Sequence, residues 1–264
     1  MTRGKRRHKV TRRRGRRTRR GRLLKYMTGT GVVALILLAL ALHHLWAGHR
    51  HPTVEIDHSR YPVMGVDISH NNGTDIDFAQ VRKSGIAFVY IKASEGKASR
   101  DATFGPNCRK ARQAGLKVGA YHFYRKGTSG RVQAQNFMQA VSGTKLDLPL
   151  VIDLEDWLND HAVHDQAVAR GVRDMIDCLQ SHGKRVMVYT NLEGYKKWVK
   201  PYFMAHDVWL CAFDDPEKLD GYHHVMQQYS HWGTVDGIDG EVDLNIFNGS
   251  RSEWQRWLDE NVSN

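Results

Sequence analysis

Asp153-Leu154-Glu155 closes the apolar run Leu148-Pro149-Leu150-Val151-Ile152. Side chains at i and i+2 leave an extended chain on the same face, so both carboxyls project together. Two acids at the end of a buried strand make little sense as packing, because an unpaired buried charge is costly. Capping a following helix would need one of them, not both. Clustered carboxyls at a strand end suit proton transfer to and from a reacting group, and the commonest use of that chemistry is cleavage of a glycosidic bond.

The elements that must hold these acids are legible as an alternation. Strand-like runs fall at 64–68, 87–93, 117–123, 148–154, 185–190, 207–212, 225–229 and 242–247, and helical patterns at 78–83, 106–114, 131–141, 165–182 and 192–199. Gly85, Gly115 and Gly183 each stand where a helix closes before the next strand. Strand-helix repetition predicts parallel pairing in an α/β fold, and about eight strands predict an irregular (β/α) barrel. The last three strands are joined by segments too short or too polar for full helices, hence the irregularity. Ser250 and Glu253 have capping-box spacing and open a final helix through Trp254 and Trp257. In such barrels the site lies at the C-terminal strand ends. Those ends carry Asp67, Lys92/Glu95, His122/Tyr124, Asp153/Glu155, Tyr189/Asn191, Asp214/Asp215, Gln228/Tyr229 and Asp243/Asn245. Acids, amides and aromatics on one rim are what a carbohydrate pocket requires.

The formal charge of +11 on 264 residues is concentrated rather than spread. Residues 1–25 hold 14 Lys/Arg and no acid, and the remainder has 25 Lys/Arg against 28 Asp/Glu. Residues 26–46 carry no formal charge, and 32–42 are wholly apolar. About 20 mostly apolar residues cross a bilayer, and arginines before them with Trp46 after them fit an anchor whose N-terminus stays cytoplasmic. The alternative is a signal peptide cleaved near Ala39-Leu40-Ala41. Either way the body is exported. The expected organisation is a basic, disordered cytoplasmic tail at 1–25, a transmembrane signal-anchor at 26–46, a polar linker at 47–62 and one barrel domain at 63–264. The tail has no interleaved aromatics for stacking bases, so no specific nucleic acid is expected. Cys108, Cys178 and Cys211 are too few for a disulfide framework and read as small packed residues. His161/His164 and His223/His224 lack carboxylate partners at ligand spacing, so no metal is expected.

In this order the motifs resemble glycoside hydrolase family 25, the lysozymes called muramidases of the Chalaropsis type. The matching stretches are 65–69 (GVDIS), 88–96 (FVYIKASEG), 119–124 (GAYHFY), 135–137 (QNF), 148–155 (LPLVIDLE) and 237–249 (GIDGEVDLNIFNG). The resemblance covers roughly residues 63–258 and implies an irregular α/β barrel that cleaves the β-1,4 bond between N-acetylmuramic acid and N-acetylglucosamine. It implies Glu155 as proton donor, Asp153, Asp67 and Asp243 as acidic partners, and assistance by the substrate's own N-acetyl group. His122, Tyr124, Gln228 and Tyr229 would line the sugar site, joined at the rim by Tyr189. No cofactor is implied, the partner is a peptidoglycan glycan strand, and a monomer at the bacterial inner membrane with an extracytoplasmic domain is expected. Asn71 and Asn72 stand where relatives have an aromatic and a glutamine, Phe213 where tyrosine is frequent, and Ser94 where threonine is common. A non-catalytic wall-binding barrel and a glycosidase for another N-acetylated glycan stay open. So do packing roles for His122, Tyr124 and Tyr229.

Overall fold

The structure, a computed structural model, describes residues 54–157, 159 and 162–261, so the basic tail, the apolar segment 26–46 and the start of the linker lie outside the described residues. The strands are β1 (Met64–Ile68), β2 (Ile86–Glu95), β3 (Ser99–Arg100), β4 (Lys117–Phe123), β5 (Leu150–Asp153), β6 (Val186–Asn191), β7 (Asp207–Cys211), β8 (Met226–Gly233) and β9 (Val242–Phe247). They form one sheet in the order β1-β9-β8-β7-β6-β5-β4-β2-β3, and pairing of β1 with β2 closes it. Because β3 is a two-residue hairpin partner of β2, eight strands make the ring, as the alternation predicts. Within the ring of eight, one strand departs from parallel pairing: β9 runs antiparallel to both β8 and β1. The segment between β8 and β9 is too short for the crossover a parallel neighbour needs, so the chain turns back as a hairpin. The start of β9, not its end, therefore reaches the rim where the other strands finish.

Helices Phe78–Lys83, Phe104–Gln113, Gly130–Val141 and Asp165–Ser181 fill the early crossovers. The expected helix after β6 is a short α-turn, Leu192–Gly194, running into a π-helical stretch, Tyr195–Phe203, that contains Pro201, a residue with no N–H to donate. The capping box at 250–253 forms: Ser250 N donates to Glu253 Oε2 at 2.7 Å, and Glu253 N to Ser250 Oγ at 3.3 Å. Among the described residues no helix is long and apolar enough to cross a membrane.

Period-2 alternation along the strands builds two cores. Outward residues such as Val66, Ile91, Val118, Ile152 and Leu210 pack under the helices against Phe137, Val172 and Ile176. Inward residues including Phe88, Tyr90, Val151, Met187 and Trp209 fill the barrel. Each such side chain, fully buried, contributes about 1.5–3 kcal/mol. Trp254 of the final helix closes the lower end, its ring 5.3 Å from that of Phe88. Two motif glycines make this filling possible. A Cβ at Gly65 would lie 2.2 Å from the Phe88 ring, and one at Gly119 2.1 Å from the Tyr90 ring.

The linker also differs from expectation. Ile56 and Tyr61 are buried against Tyr229 and Ile246 on the outer face of β8 and β9. That hairpin has no crossover helix to cover it, and residues 54–61 take the helix's place.

Candidate active site

A groove of about 470 Å³ opens at the barrel mouth, and Asp67, Asp153, Glu155 and Asp243 all line it. Strand parity explains the convergence. Asp67 faces inward because Val66 and Ile68 face the helices, and Asp153 does so because Ile152 faces out. Asp67 and Asp243 are direct partners in the β1–β9 ladder.

Fixed hydrogen-bond polarity assigns the charges. An indole N–H only donates. Trp209 Nε1 donates to Asn245 Oδ1 at 2.8 Å, which turns Asn245 Nδ2 toward Asp67 Oδ2, also at 2.8 Å. Tyr189 OH donates to Gln228 Oε1 at 2.7 Å, and Gln228 Nε2 donates to the same Asp67 oxygen at 2.8 Å. His231 Nε2 lies 2.8 Å from Gln228 Oε1 and donates the second bond to it. Burial pushes the Asp67 carboxyl up, and the amides of Asn245 and Gln228 with the Asp243 side chain oppose that push. Asp67 is thus the carboxylate of the pair. Burial and the adjacent Asp67 charge hold Asp243 up at about 9, so it keeps a proton and shares it with Asp67.

Burial, then the charge of Asp67, raises Glu155 to about 7. No hydrogen bond reaches the Glu155 carboxyl from the described residues, which leaves it free for a substrate. Burial first, then Glu155, lifts Asp153 well above the usual carboxylate range. Asp153 Oδ1 is buried and has no hydrogen-bond partner among the described residues. Lys92 also lines the groove, but it pairs with Glu95 at 2.7 Å, the rim salt bridge its spacing allows. The loop carrying Glu155 is clamped from several sides. Leu154 N donates to Tyr189 O at 2.9 Å, and Thr190 Oγ1 to Leu154 O at 2.7 Å. Asn159 Nδ2 donates to the carbonyls of Glu155 at 2.9 Å and Tyr124 at 3.0 Å. Asp156 pairs with Lys126 and, at 3.1 Å, with Lys197.

Of the predicted sugar-site residues, Tyr189 and Gln228 line the groove, whereas His122, Tyr124 and Tyr229 do not. All three sit at outward parity. His122 is fully buried between Ser94 Oγ, at 2.8 Å, and Gln133 Oε1, at 3.2 Å, and burial lowers it to about 4. Tyr124 packs its hydroxyl against Gly171, where a Cβ would come within 2.3 Å. Tyr229 covers Ile56 and Tyr61. The groove instead takes Tyr121, Trp209, His231 and Trp157, which rim position alone did not single out. Counting in twos from Gly119 and Met187 would have found Tyr121 and, through its ladder partner Tyr189, Trp209. Among the described residues no group of three His, Cys, Asp or Glu side chains is arranged to hold a metal ion.

A closed barrel that gathers four carboxyls in an aromatic-walled groove, one of them poised near neutrality, defines a glycoside hydrolase. Residues 66–238 match the family described as Glycosyl hydrolases family 25, and the chain belongs to that family. It is 34% identical over 185 residues to the autolytic lysozyme of Clostridium acetobutylicum, covering 70% of this chain and 56% of that one. Lysozyme M1 of Streptomyces globisporus is 33% identical over 219 residues, 71% of this chain and 68% of the relative. A family 25 glycosyl hydrolase structure from Bacillus anthracis superposes with a TM-score of 0.71 at 32% identity, covering 79% of this chain and 98% of that one.

Proposed function

We propose that this protein is a peptidoglycan muramidase that cleaves the β-1,4 bond between N-acetylmuramic acid and N-acetylglucosamine, with Glu155 as proton donor. The observation that carries this reading is the Glu155 carboxyl: it lines the groove, is uncommitted to any hydrogen bond from the described residues, and is raised to about 7. A carboxyl with that proton affinity is half loaded near neutral pH and can protonate the leaving glycosidic oxygen. As the bond from C1 to that oxygen breaks, the carbonyl oxygen of the substrate's own acetamido group bonds to C1. Asp153, with an unsatisfied acceptor oxygen, is suited to take the acetamido N–H and steer it. Water then attacks C1, gives its proton to the Glu155 carboxylate and releases the acetamido group, so the configuration at C1 is retained. Asp67, fixed by Asn245 and Gln228 and sharing a proton with Asp243, supplies the negative charge that keeps the Glu155 proton in place. Digestion of purified peptidoglycan tests this reading: new reducing ends at muramic acid are expected, and reducing ends at glucosamine would overturn it.

For the N-terminus we propose a single-pass anchor at 26–46 in the bacterial inner membrane, with the tail cytoplasmic and a monomeric barrel outside. Support comes from the charge-free 26–46 segment behind the arginine-rich tail. Mass spectrometry of membrane-fraction protein is expected to find the intact N-terminus, and a chain beginning near residue 42 would replace the anchor with a cleaved signal.

A further inference from the structure

Among the described tryptophans, Trp198, Trp209, Trp254 and Trp257 are buried and Trp232 is half-buried, whereas Trp157 is 68% exposed. One exposed apolar side chain is ordinary by itself. The position of Trp157 is what distinguishes it, because it lines the groove together with Asp153 and Glu155, two residues beyond the proton donor. Described residues on either side of it are tied down. Asp156, the residue before it, is held by Lys126 and Lys197, and Asn159 clamps the carbonyl of Glu155. No ring or cation of the described residues packs on the indole. The opposite rim offers polar groups instead, Ser69, His70 and Asn71, with His70 already bonded to Asp101 at 2.9 Å through its backbone and 3.2 Å through its ring.

We infer that Trp157 is a stacking platform for the N-acetylhexosamine ring that lies beside Glu155, and that it sets the groove's affinity for the glycan. The inference rests on the glycan-cleaving reading above and names a recognition element within it. A pyranose presents C–H bonds on its face and hydroxyl and acetamido groups on its edge. The indole takes the face, and the acids and amides of the barrel mouth take the edge. The contact is made before and during the reaction alike, so its loss weakens binding without slowing the bound substrate.

The test uses the full chain in detergent as wild type, Trp157→Ala and Trp157→Phe. Chitotriose, the β-1,4-linked trimer of N-acetylglucosamine, is titrated by tryptophan fluorescence and calorimetry, and solubilised peptidoglycan fragments supply KM and kcat. Expected for Trp157→Ala are about a tenfold rise in Kd and KM and a kcat within about twofold of wild type. Trp157→Phe is expected to recover most of the affinity, and both variants to melt with wild type because the side chain is exposed. Wild-type Kd and KM in Trp157→Ala would overturn the inference while leaving the hydrolase reading intact. Trp157-dependent binding by a protein that releases nothing from peptidoglycan would uphold the platform and remove the hydrolase reading.

Discussion

At neutral pH the four groove acids do not all ionise. Asp243 is held at about 9 and Glu155 at about 7, in both cases by burial and then by the charge of Asp67. A proton donor must carry its proton, so kcat/KM on peptidoglycan is expected to fall as pH rises through about 7. The same carboxyl sets a stability window. Its folded value lies above its ordinary 4.5, so the folded state binds the proton more tightly, and stability is lost as pH rises between those values. Glu155→Gln should therefore match wild type in thermal melts near pH 4 and exceed it at pH 8 by up to roughly 3 kcal/mol. The protonated role of Asp243 gives a second contrast. Asp243→Asn keeps a donor for Asp67 and should stay within about tenfold of wild-type kcat at pH 7. Asp67→Asn removes the charge itself and should cost about 10²–10³-fold.

At the scale of elements, the period of two decides which side chains meet. Asn159→Ala releases the carbonyls of Glu155 and Tyr124. The predicted result is a kcat reduced by about tenfold to 10²-fold, with unfolding by urea nearly unchanged, since small displacements of a catalytic group are costly. Gly119→Val drives a side chain into the Tyr90 ring and should destabilise by at least about 1–3 kcal/mol in the same urea assay. The alternation of apolar runs, glycines and helical spacing made β1, β4 and β9 legible to the residue, and the paired acids of 153 and 155 were legible because parity was applied to them. For His122, Tyr124 and Tyr229, rim chemistry weighed without that parity left sugar contact and packing both open, and the structure buries all three away from the groove. Each is one residue out of phase with an inward neighbour: Tyr121, Phe123 and Gln228. The reversed direction of β9 depended on loop length, and the partners of Asp67 depended on which strands become neighbours in space. Local pattern carries neither signal strongly.

On the scale of the whole molecule, the barrel is built to be closed at one end and open at the other. Trp254 and Trp257 seal the lower mouth, and the acids meet at the upper one. Residues 54–61 complete the unit by covering the β8–β9 hairpin, so a chain begun at residue 63 should expose Tyr229 and Ile246 and unfold at a lower temperature than one begun at residue 52. The central claim is that Glu155 donates the proton that breaks the glycan. Its most direct test is digestion of purified peptidoglycan by full-length wild type and Glu155→Gln, with soluble muropeptides identified by mass spectrometry. Fragments ending in reducing muramic acid from wild type, and none above blank from a folded Glu155→Gln, are the predicted result. Equal release by both proteins would contradict it.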